Sequence, residues 1–285
     1  PEGSVVVMDG LALGVLDRET TEVRQRLRLV ALCHHPLALE SGLNSAEQSQ
    51  LFESERLALA NVHATLVTSD STRRILTDDF GVCEDSITVA VPGTDRRPFA
   101  ECMGSPPRLL TVGSLTRRKA HDVLISALAD VAALDWEARF VGGDHFDAKW
   151  AQRLRAQVAA ENLEHRIQFA GLVPDVEPEY QQADVFILPS RFEGYGMVFA
   201  EALSTGLPVI AAKAGAVPDV VPGTAGLLVA PDDPEALAGA IHKLLTTTGL
   251  RQQLQQGARA CAAELPTWRD SAEKVCCRLR KVSQA

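Results

Sequence analysis

The sequence predicts an α/β protein made of two parallel α/β domains. Short apolar runs rich in β-branched residues alternate with amphipathic stretches long enough for helices, which is the pattern of parallel β–α–β units. A segment rich in proline and glycine, residues 92–107, interrupts this alternation, which then starts again. With 285 residues, the chain is long enough for one large or two ordinary domains.

The first third of the chain supplies the elements of one such domain. Ser69 or Asp70 can cap the helix that follows the third strand, because both side chains accept hydrogen bonds from helix N–H groups. The predicted strands are Ser4–Met8, Leu27–Cys33, Ala64–Thr68 and Ser86–Val91, and the predicted helices lie near Ala46–Asn61 and Ser71–Asp78.

The second run of alternation is longer. Its last helix has the clearest local signals, because Asp233 is a good N-cap and Pro234 suits the first helical position. The predicted strands are Arg108–Val112, Glu137–Val141, Arg166–Ala170, Val185–Leu188, Leu207–Ala211 and Gly226–Val229, and the predicted helices are His121–Ala133, Ala148–Asn162, Val198–Thr205 and Pro234–Thr246.

The break at residues 92–107 is the best domain boundary in the chain. We therefore expect a first domain over residues 1–95 and a second over residues 96–262, with a cleft between them. Residues 263–285 contain a further helix that begins after Trp268 and reaches Lys281. Ligands of parallel α/β folds bind outside the carboxyl ends of the strands, so the loops after the strands are where functional residues are expected.

Composition excludes several classes of protein. Hydrophobic residues make up 46% of the chain and charged residues 23%, a normal globular mixture, and the net charge of −9 argues against a general nucleic-acid binder. No apolar run is long enough to span a membrane, and no secretory signal opens the chain. The six cysteines form no C-x-x-C pair, so we expect reduced thiols, no zinc site and a cytoplasmic location.

The most informative segment is residues 193–201, with the sequence EGYGMVFAE. Two carboxylates eight residues apart, Glu193 and Glu201, flank a glycine-interrupted turn between a predicted strand and a predicted helix. The N–H groups at the start of that helix, together with its dipole, form a ready anion site. One carboxylate can then reach a sugar while the other holds a ribose, with the phosphates between them.

A basic loop lies at the corresponding end of another strand. Residues 112–119, VGSLTRRK, follow one predicted strand and precede a helix, so Arg117, Arg118 and Lys119 are expected to face the cleft. Arginine can grip a diphosphate in bidentate fashion and lysine can neutralise it as a point charge. Taken alone, such a run is more often a solvated basic turn.

Two adjacent histidines, His34 and His35, follow a strand of the first domain and precede a proline turn. A single histidine at a strand end is more often structural than catalytic. The pair attracts interest because the other motifs occur in the same chain.

Together these segments resemble the retaining glycosyltransferases of family 4, which have the GT-B fold. The E-x7-E motif of residues 193–201, followed by GLPV at residues 206–209, carries the strongest resemblance. The block from Val112 to Ile125 and the segment FAGLV at residues 169–173, where the family reads the nucleobase through the backbone, also match. The family usually has a histidine near the transferred sugar, which aligns with His34, and His35 is a close second.

The resemblance implies two Rossmann-like domains and transfer of a hexose from a nucleoside-diphosphate sugar with retention of anomeric configuration. No metal or other cofactor is expected, and the residues after 262 would form a helix that braces the first domain. The implied catalytic residues are His34, Glu193, Lys119 and Arg118. The implied donor-binding residues are Gly113, Arg117, Arg118, Lys119, Gly171, Leu172, Val173, Glu193, Gly194, Tyr195, Gly196, Met197, Val198 and Glu201.

The sequence departs from the family pattern at several places. Ser114 stands where many members have arginine, and Ala120 stands where they have glycine. The strand and glycine-rich loop that usually open the first domain are not found before Ser4. We therefore expect an incomplete acceptor-side domain, and a partner chain that supplies the missing part is one way to complete it.

The donor base and the acceptor stay open at this stage. The acceptor can be a lipid, a glycan or a small molecule, and a lipid acceptor would bring peripheral contact with a membrane. Two other functions compete with the transferase: a nucleotide-sugar epimerase on the same fold, and a non-catalytic relic or partner subunit that binds nucleotide without transfer.

Overall fold

The computed structural model describes residues 1–40 and 42–284, and within them it forms two parallel α/β units. The first unit comprises Pro1–Gly93 together with the segment that starts at Pro266, and the second comprises Thr94–Leu265. Ala285, the last residue of the predicted terminal segment, lies outside the described residues. None of the helices in the described ranges is both long enough and apolar enough to cross a membrane.

The first unit is built on a parallel sheet whose strands follow one another in sequence order across the sheet. Its strands are Val5–Asp9 (β1), Arg28–Cys33 (β2), Ala64–Val67 (β3) and Ile87–Val89 (β4), and its helices before the domain boundary are Gly10–Leu13 (α1), Asp17–Val23 (α2), Ser45–Leu59 (α3) and Asp70–Asp78 (α4). Ser69, one of the two predicted caps, accepts a hydrogen bond from the N–H of Thr72 and begins α4.

The second unit contains the larger sheet, again parallel. Its strands are Arg108–Val112 (β5), Glu137–Val141 (β6), Ile167–Gly171 (β7), Val185–Leu188 (β8), Val209–Ala212 (β9) and Gly226–Val229 (β10), and its helices are His121–Asp130 (α5), Ala148–Ala160 (α6), Glu177–Gln181 (α7), Met197–Ser204 (α8), Val217–Val220 (α9), Pro234–Thr246 (α10) and Thr248–Glu264 (α11). Across the sheet the order is β10-β9-β8-β5-β6-β7. The chain therefore leaves the middle of the sheet in one direction and later returns to continue in the other.

The helix predicted after Trp268 forms as Trp268–Gln284 (α12) and packs on the sheet of the first unit. Val282 joins a buried cluster with Val30 of β2 and Leu66 of β3. The Arg278 guanidinium donates to the hydroxyl of Thr88 in β4 at 2.6 Å. Apolar burial and these polar contacts attach the end of the chain to its first unit.

The structure also contains helices that local patterns did not predict: α1, α2, α7, α9 and α11. The α11 segment was not predicted as a helix because it contains Gly257, and glycine has a low helix propensity. A Cβ at this position would come within 1.9 Å of the carbonyl oxygen of Thr224, so only glycine allows α11 to lie this close to the neighbouring chain.

Candidate functional site

The candidate donor site lies where β5 and β8 are neighbours in the second sheet. These strands pair with Leu109 opposite Val185, and the strand order changes direction at this point. The loops that follow their carboxyl ends, residues 113–119 and 189–196, therefore start side by side. This is the topological switch point at which parallel α/β sheets bind ligands.

Three charged side chains from these two loops meet. Lys119 Nζ lies 2.6 Å from Glu193 Oε1, and Arg118 Nη1 lies 3.1 Å from Glu193 Oε2. Arg118 also donates to the carbonyl oxygen of Phe192 at 3.0 Å. Glu193 is only 5% exposed, so both of its oxygens are held by cations away from bulk water.

The cations determine the charge state of Glu193. Burial acts to raise the pKa of this carboxyl, but Lys119 and Arg118 outweigh it and hold the pKa below its usual value. Glu193 is therefore ionised at neutral pH. An anion such as a diphosphate would find two cations here whose charge is only partly balanced by one carboxylate.

Arg117 takes a different position from its two neighbours. Its guanidinium carbon lies 4.4 Å from the ring centroid of Trp150, and its Nε lies 3.9 Å from a carboxylate oxygen of Asp147. The structure thus brings Arg118 and Lys119 to Glu193 while Arg117 stacks on an aromatic ring.

The turn that carries the cations is a 3₁₀ turn, Arg117–Lys119, and it ends at a left-handed residue. Ala120 has φ +51°, a conformation that costs a non-glycine residue about 1–2 kcal/mol. The departure from glycine noted at this position is therefore a strained one.

Arg191 ties this turn to the loop of Glu193. Its Nη1 and Nη2 donate to the two carboxylate oxygens of Asp122 at 3.1 and 2.8 Å, and its Nε donates to Asp232 at 2.6 Å. It also donates to the carbonyl oxygen of Arg117, and its own N–H donates to the carbonyl oxygen of Arg118 at 2.7 Å. Arg191 thereby links the loop that carries Arg118 and Lys119 to the loop that carries Glu193.

Two glycines of the site adopt backbone conformations with positive φ. Gly196 has φ +89° and occupies the N-cap of α8, so no side chain at that position accepts from the first N–H groups of the helix. These N–H groups remain suited to an anion. Gly215, at φ +56°, lets its loop approach the carbonyl oxygen of Glu193, to which Ala216 donates at 2.9 Å.

Glu201 lies just over one turn into α8, as predicted, but its surroundings differ from those of Glu193. The hydroxyl of Tyr180 in α7 donates to Glu201 Oε2 at 2.8 Å. Arg97 Nη2 lies 3.9 Å from Oε1. Burial first, and then Glu201, raise the pKa of Tyr180 well above its usual value, so the phenol keeps its proton and acts as the donor.

The predicted donor residues outside the turn and helix of residues 193–201 lie at the ends of neighbouring strands. Gly113 follows β5 and donates its N–H to the carbonyl oxygen of Val141 at 2.8 Å. Gly171 ends β7 with φ +69° and accepts from the N–H of Gly142 at 2.9 Å. Leu172 is 72% exposed, and a Cβ added at Gly171 would meet no atom within 4 Å.

The predicted histidine lies in the first unit, directly after β2. His34 Nε2 is 3.4 Å from a carboxylate oxygen of Asp9, which ends the neighbouring strand β1, and both side chains are about half exposed. His35 instead pairs with Glu40. Thr68 donates to the carbonyl oxygen of His34 at 3.2 Å.

A buried carboxylate supports the turn after the histidines. Glu55 of α3 is 1% exposed and accepts the N–H of Leu37 at 2.8 Å. Burial raises the pKa of Glu55 from 4.5 to about 7, against the opposing effects of the backbone donors and His35. The sequence analysis missed this residue, because nothing in its spacing separates it from the exposed acids of the same helix.

Sequence reasoning also missed Arg191, Tyr180 and Asp122. The signal for Arg191 was available: it lies three residues after the end of β8 and two residues before Glu193. Asp122 lies in the block from Val112 to Ile125 that resembles the family, but no role was predicted for it, and Tyr180 gave no signal, since its partner Glu201 is 21 residues away. Within the described ranges no cluster of three or more His, Cys, Asp and Glu side chains has the arrangement of a metal site.

Comparison with known proteins gives a consistent result. Residues 106–247 match the family model described as "Glycosyl transferases group 1". The D-inositol 3-phosphate glycosyltransferase of Corynebacterium diphtheriae is 29% identical over 272 residues, which cover 87% of this chain and 64% of that protein. The chain spans about half to two thirds of the length of the curated relatives it matches.

Solved structures share the fold. Sucrose-phosphate synthase from Thermosynechococcus elongatus superposes with a TM-score of 0.84 at 24% identity, covering 98% of this chain and 73% of that one. HepE from Anabaena, solved with UDP and glucose, superposes with a TM-score of 0.82 at 21% identity, covering 96% of this chain and 78% of that one. The predicted GT-B fold is thereby confirmed.

Proposed function

The chain belongs to the group 1 glycosyl transferases through residues 106–247, and from this membership we propose that it transfers a hexose from a nucleoside-diphosphate sugar to an acceptor with retention of anomeric configuration. The donor diphosphate would bind between Arg118, Lys119 and the N-terminus of α8. That a structural relative was solved with UDP and glucose supports a donor of this class.

One observation carries the proposal: two largely buried cations converge on Glu193 beside the start of a helix that has glycine as its N-cap. A structural ion pair needs one cation for one carboxylate, whereas this site holds an extra positive charge and adds the N–H groups of α8. Such an excess suits a leaving group that gains negative charge as the reaction proceeds.

The proposed reaction breaks the bond between the anomeric carbon and the diphosphate oxygen and forms a bond from that carbon to an acceptor oxygen on the same face. The electron pair of the broken bond stays on the diphosphate, where Lys119 and Arg118 stabilise it. The acceptor hydroxyl gives its proton to the departing diphosphate oxygen on the same face as the new bond forms. Glu193 would accept hydrogen bonds from sugar hydroxyls, and Glu201 from the ribose. No metal or other cofactor is part of the proposal.

His34 is the catalytic residue proposed for the first unit. Its place at a strand end, its half-exposed ring and the nearby Asp9 suit a group that contacts a sugar. We expect His34→Asn to lower kcat for transfer about 10- to 100-fold while leaving the dissociation constant of the nucleotide unchanged, the size expected for loss of one positioned polar contact.

Binding of the nucleotide is the first test. Calorimetric titration with UDP, GDP and ADP should show saturable binding of at least one, weakened about 100-fold or more by Lys119→Ala. Lys243→Ala is the matched control, because Lys243 is exposed on α10 of the same unit. Equal loss in both variants, or no binding by the wild type, would rule out the proposed donor site.

Transfer is the second test. The nucleotide sugar that matches the bound base is incubated with lipid, glycan and small-molecule acceptors, and the anomeric configuration of any product is read by NMR. A product with the donor's configuration supports the proposal, whereas an epimer of the donor formed without acceptor would favour an epimerase. This experiment identifies the acceptor class, including an acceptor held in a membrane. It also shows whether transfer needs a partner chain.

A further inference from the structure

The two carboxylates of the motif are held by different means. Glu193 is fixed by two cations, but Glu201 is fixed by the hydroxyl of Tyr180, which donates to Oε2 at 2.8 Å. Tyr180 is fully buried, with its ring packed on Phe186 at a centroid distance of 5.8 Å. Because the ring cannot move without disturbing the core, the hydroxyl is a fixed point for Glu201.

Arg97 stands on the other side of the same carboxylate. Its Nη2 is 3.9 Å from Glu201 Oε1, beyond hydrogen-bond distance, and its guanidinium carbon is 5.6 Å from the centroid of the Tyr180 ring. Arg97 Nη1 is buried and, among the described residues, has no hydrogen-bond partner. The guanidinium therefore supplies charge near Glu201 without using the lone pairs of Oε1.

We propose that Tyr180 and Arg97 are positioning residues that aim Oε1 of Glu201 at the ribose hydroxyls of the donor, and so decide its preference for ribose over deoxyribose. The inference rests on the proposed function, in which Glu201 holds the ribose. With Oε2 anchored, the carboxylate keeps a single orientation, and a side chain that is already ordered loses little entropy when the nucleotide binds.

Replacing Tyr180 with phenylalanine isolates this role. The ring and its packing stay, and only the hydroxyl is removed, which lies 2.8 Å from Glu201 Oε2 and also 3.3 Å from the carbonyl oxygen of Val198. A merely structural tyrosine would change stability when it loses this hydroxyl, but it would not change how the site distinguishes two nucleotides that differ in one hydroxyl. The readout is therefore the ratio of two affinities, which cancels general effects on folding.

The experiment titrates UDP, GDP and ADP and their 2′-deoxy counterparts into the full chain by calorimetry. The variants are Tyr180→Phe, Arg97→Gln and Glu201→Gln. Thr111→Val is the matched control, because it also removes one buried hydroxyl hydrogen bond of the second unit, to the carbonyl oxygen of Ile187, but Thr111 does not hydrogen-bond to Glu201. Circular dichroism and the melting temperature establish that each variant is folded.

We expect the wild type to bind the ribonucleotide about 10- to 100-fold more tightly than its deoxy counterpart, as for a hydrogen bond to a charged group. Tyr180→Phe should reduce this ratio to about threefold or less while the affinity for the deoxynucleotide is kept, and Arg97→Gln should reduce it partly. Thr111→Val should keep the ratio.

Two results would overturn the inference alone: a Tyr180→Phe variant with the wild-type ratio, or a wild type that binds the ribonucleotide and its deoxy counterpart equally well. A wild type that binds none of the three diphosphates would overturn the proposed donor site and the inference with it. The first titration of the wild-type protein shows whether any of the three diphosphates binds. It therefore separates failure of the proposed donor site from failure of the inference.

Discussion

Each unit of the protein buries a glutamate, and the two behave in opposite ways. Glu55 in the first unit and Glu193 in the second are 1% and 5% exposed. Burial raises the pKa of Glu55 to about 7, whereas Lys119 and Arg118 hold that of Glu193 below its usual value although Glu193 is also buried. The partner, rather than the depth, decides whether a buried carboxyl keeps its charge.

The difference matches the tasks proposed for the two units. Glu55 has a backbone N–H as a partner and supports a turn next to His34. Glu193 is part of a charged site in which the loops of β5 and β8 meet. A carboxylate surrounded by cations is typical of a site that binds an anion, and a carboxyl held by backbone donors is typical of a structural support.

The largest expected effect comes from Lys119→Met, which makes the surroundings of Glu193 more like those of Glu55. Glu193 keeps Arg118 as a partner, but its buried Oε1 loses Lys119, and this unsatisfied charged acceptor should destabilise the protein by about 3 kcal/mol, measured by urea unfolding. The pKa of Glu193 should rise, which makes the loss smaller below about pH 5. The double variant Lys119→Met/Glu193→Gln should regain part of the stability, and a double variant as unstable as the single one would contradict the ion-pair explanation.

The pH dependence of Glu55 is the next largest effect. Between its unfolded value of 4.5 and its folded value of about 7, the folded protein keeps a proton that the unfolded chain has lost. Stability therefore falls as the pH rises through this window, by about 3 kcal/mol in total. Glu55→Gln should remove this slope and be more stable than the wild type at about pH 8, as measured by urea unfolding at several pH values.

Glu193 serves as the internal contrast for that measurement. Because its folded pKa is below the usual value, its contribution to stability is present above about pH 4.5 and is lost only as the pH falls further. An identical pH slope in Glu55→Gln and the wild type between about pH 5 and pH 7 would show that Glu55 does not titrate there.

Arg191→Lys tests whether Arg191 holds the turn that carries Arg118 and Lys119 in the second unit. Lysine keeps the charge but cannot form the paired hydrogen bonds to Asp122, so the cation turn should be held less firmly. We expect nucleotide affinity to fall about 5- to 20-fold, equal to about 1–2 kcal/mol, by calorimetry. Arg166→Lys is the control and should bind as the wild type does, because Arg166 also hydrogen-bonds to carbonyl oxygens but precedes β7, at the edge of the sheet opposite the site. Equal affinity in both variants would exclude a bracing role.

The smallest effect is expected at Asp233, which lies in the second unit but outside the charged site. Its carboxylate accepts the N–H of Ala236 at 2.8 Å and caps α10. Asp233→Ala should lower the free energy of unfolding by about 1 kcal/mol and leave nucleotide affinity unchanged. A change in nucleotide affinity would show that the stability of α10 and the charged site are coupled.

The α10 helix also shows how far local patterns reach. Pro234–Thr246 forms with the predicted bounds, because the cap, the proline and the apolar face all lie within one short segment. The α11 helix could not be recognised in this way. Its Gly257 is explained only by the nearby carbonyl of Thr224, which the sequence does not reveal.

The candidate site divides in the same way. Glycine-interrupted turns, basic runs and strand ends are short-range features. The parallel α/β class and the segments that carry the E-x7-E and basic motifs could therefore be predicted from the sequence. The tertiary structure decided which side chains meet. Lys119 and Glu193 are separated by 74 residues in the chain, and they pair because β5 and β8 lie side by side with their carboxyl ends at one edge. Charge and burial at that edge depend on sheet order, which no local pattern contains.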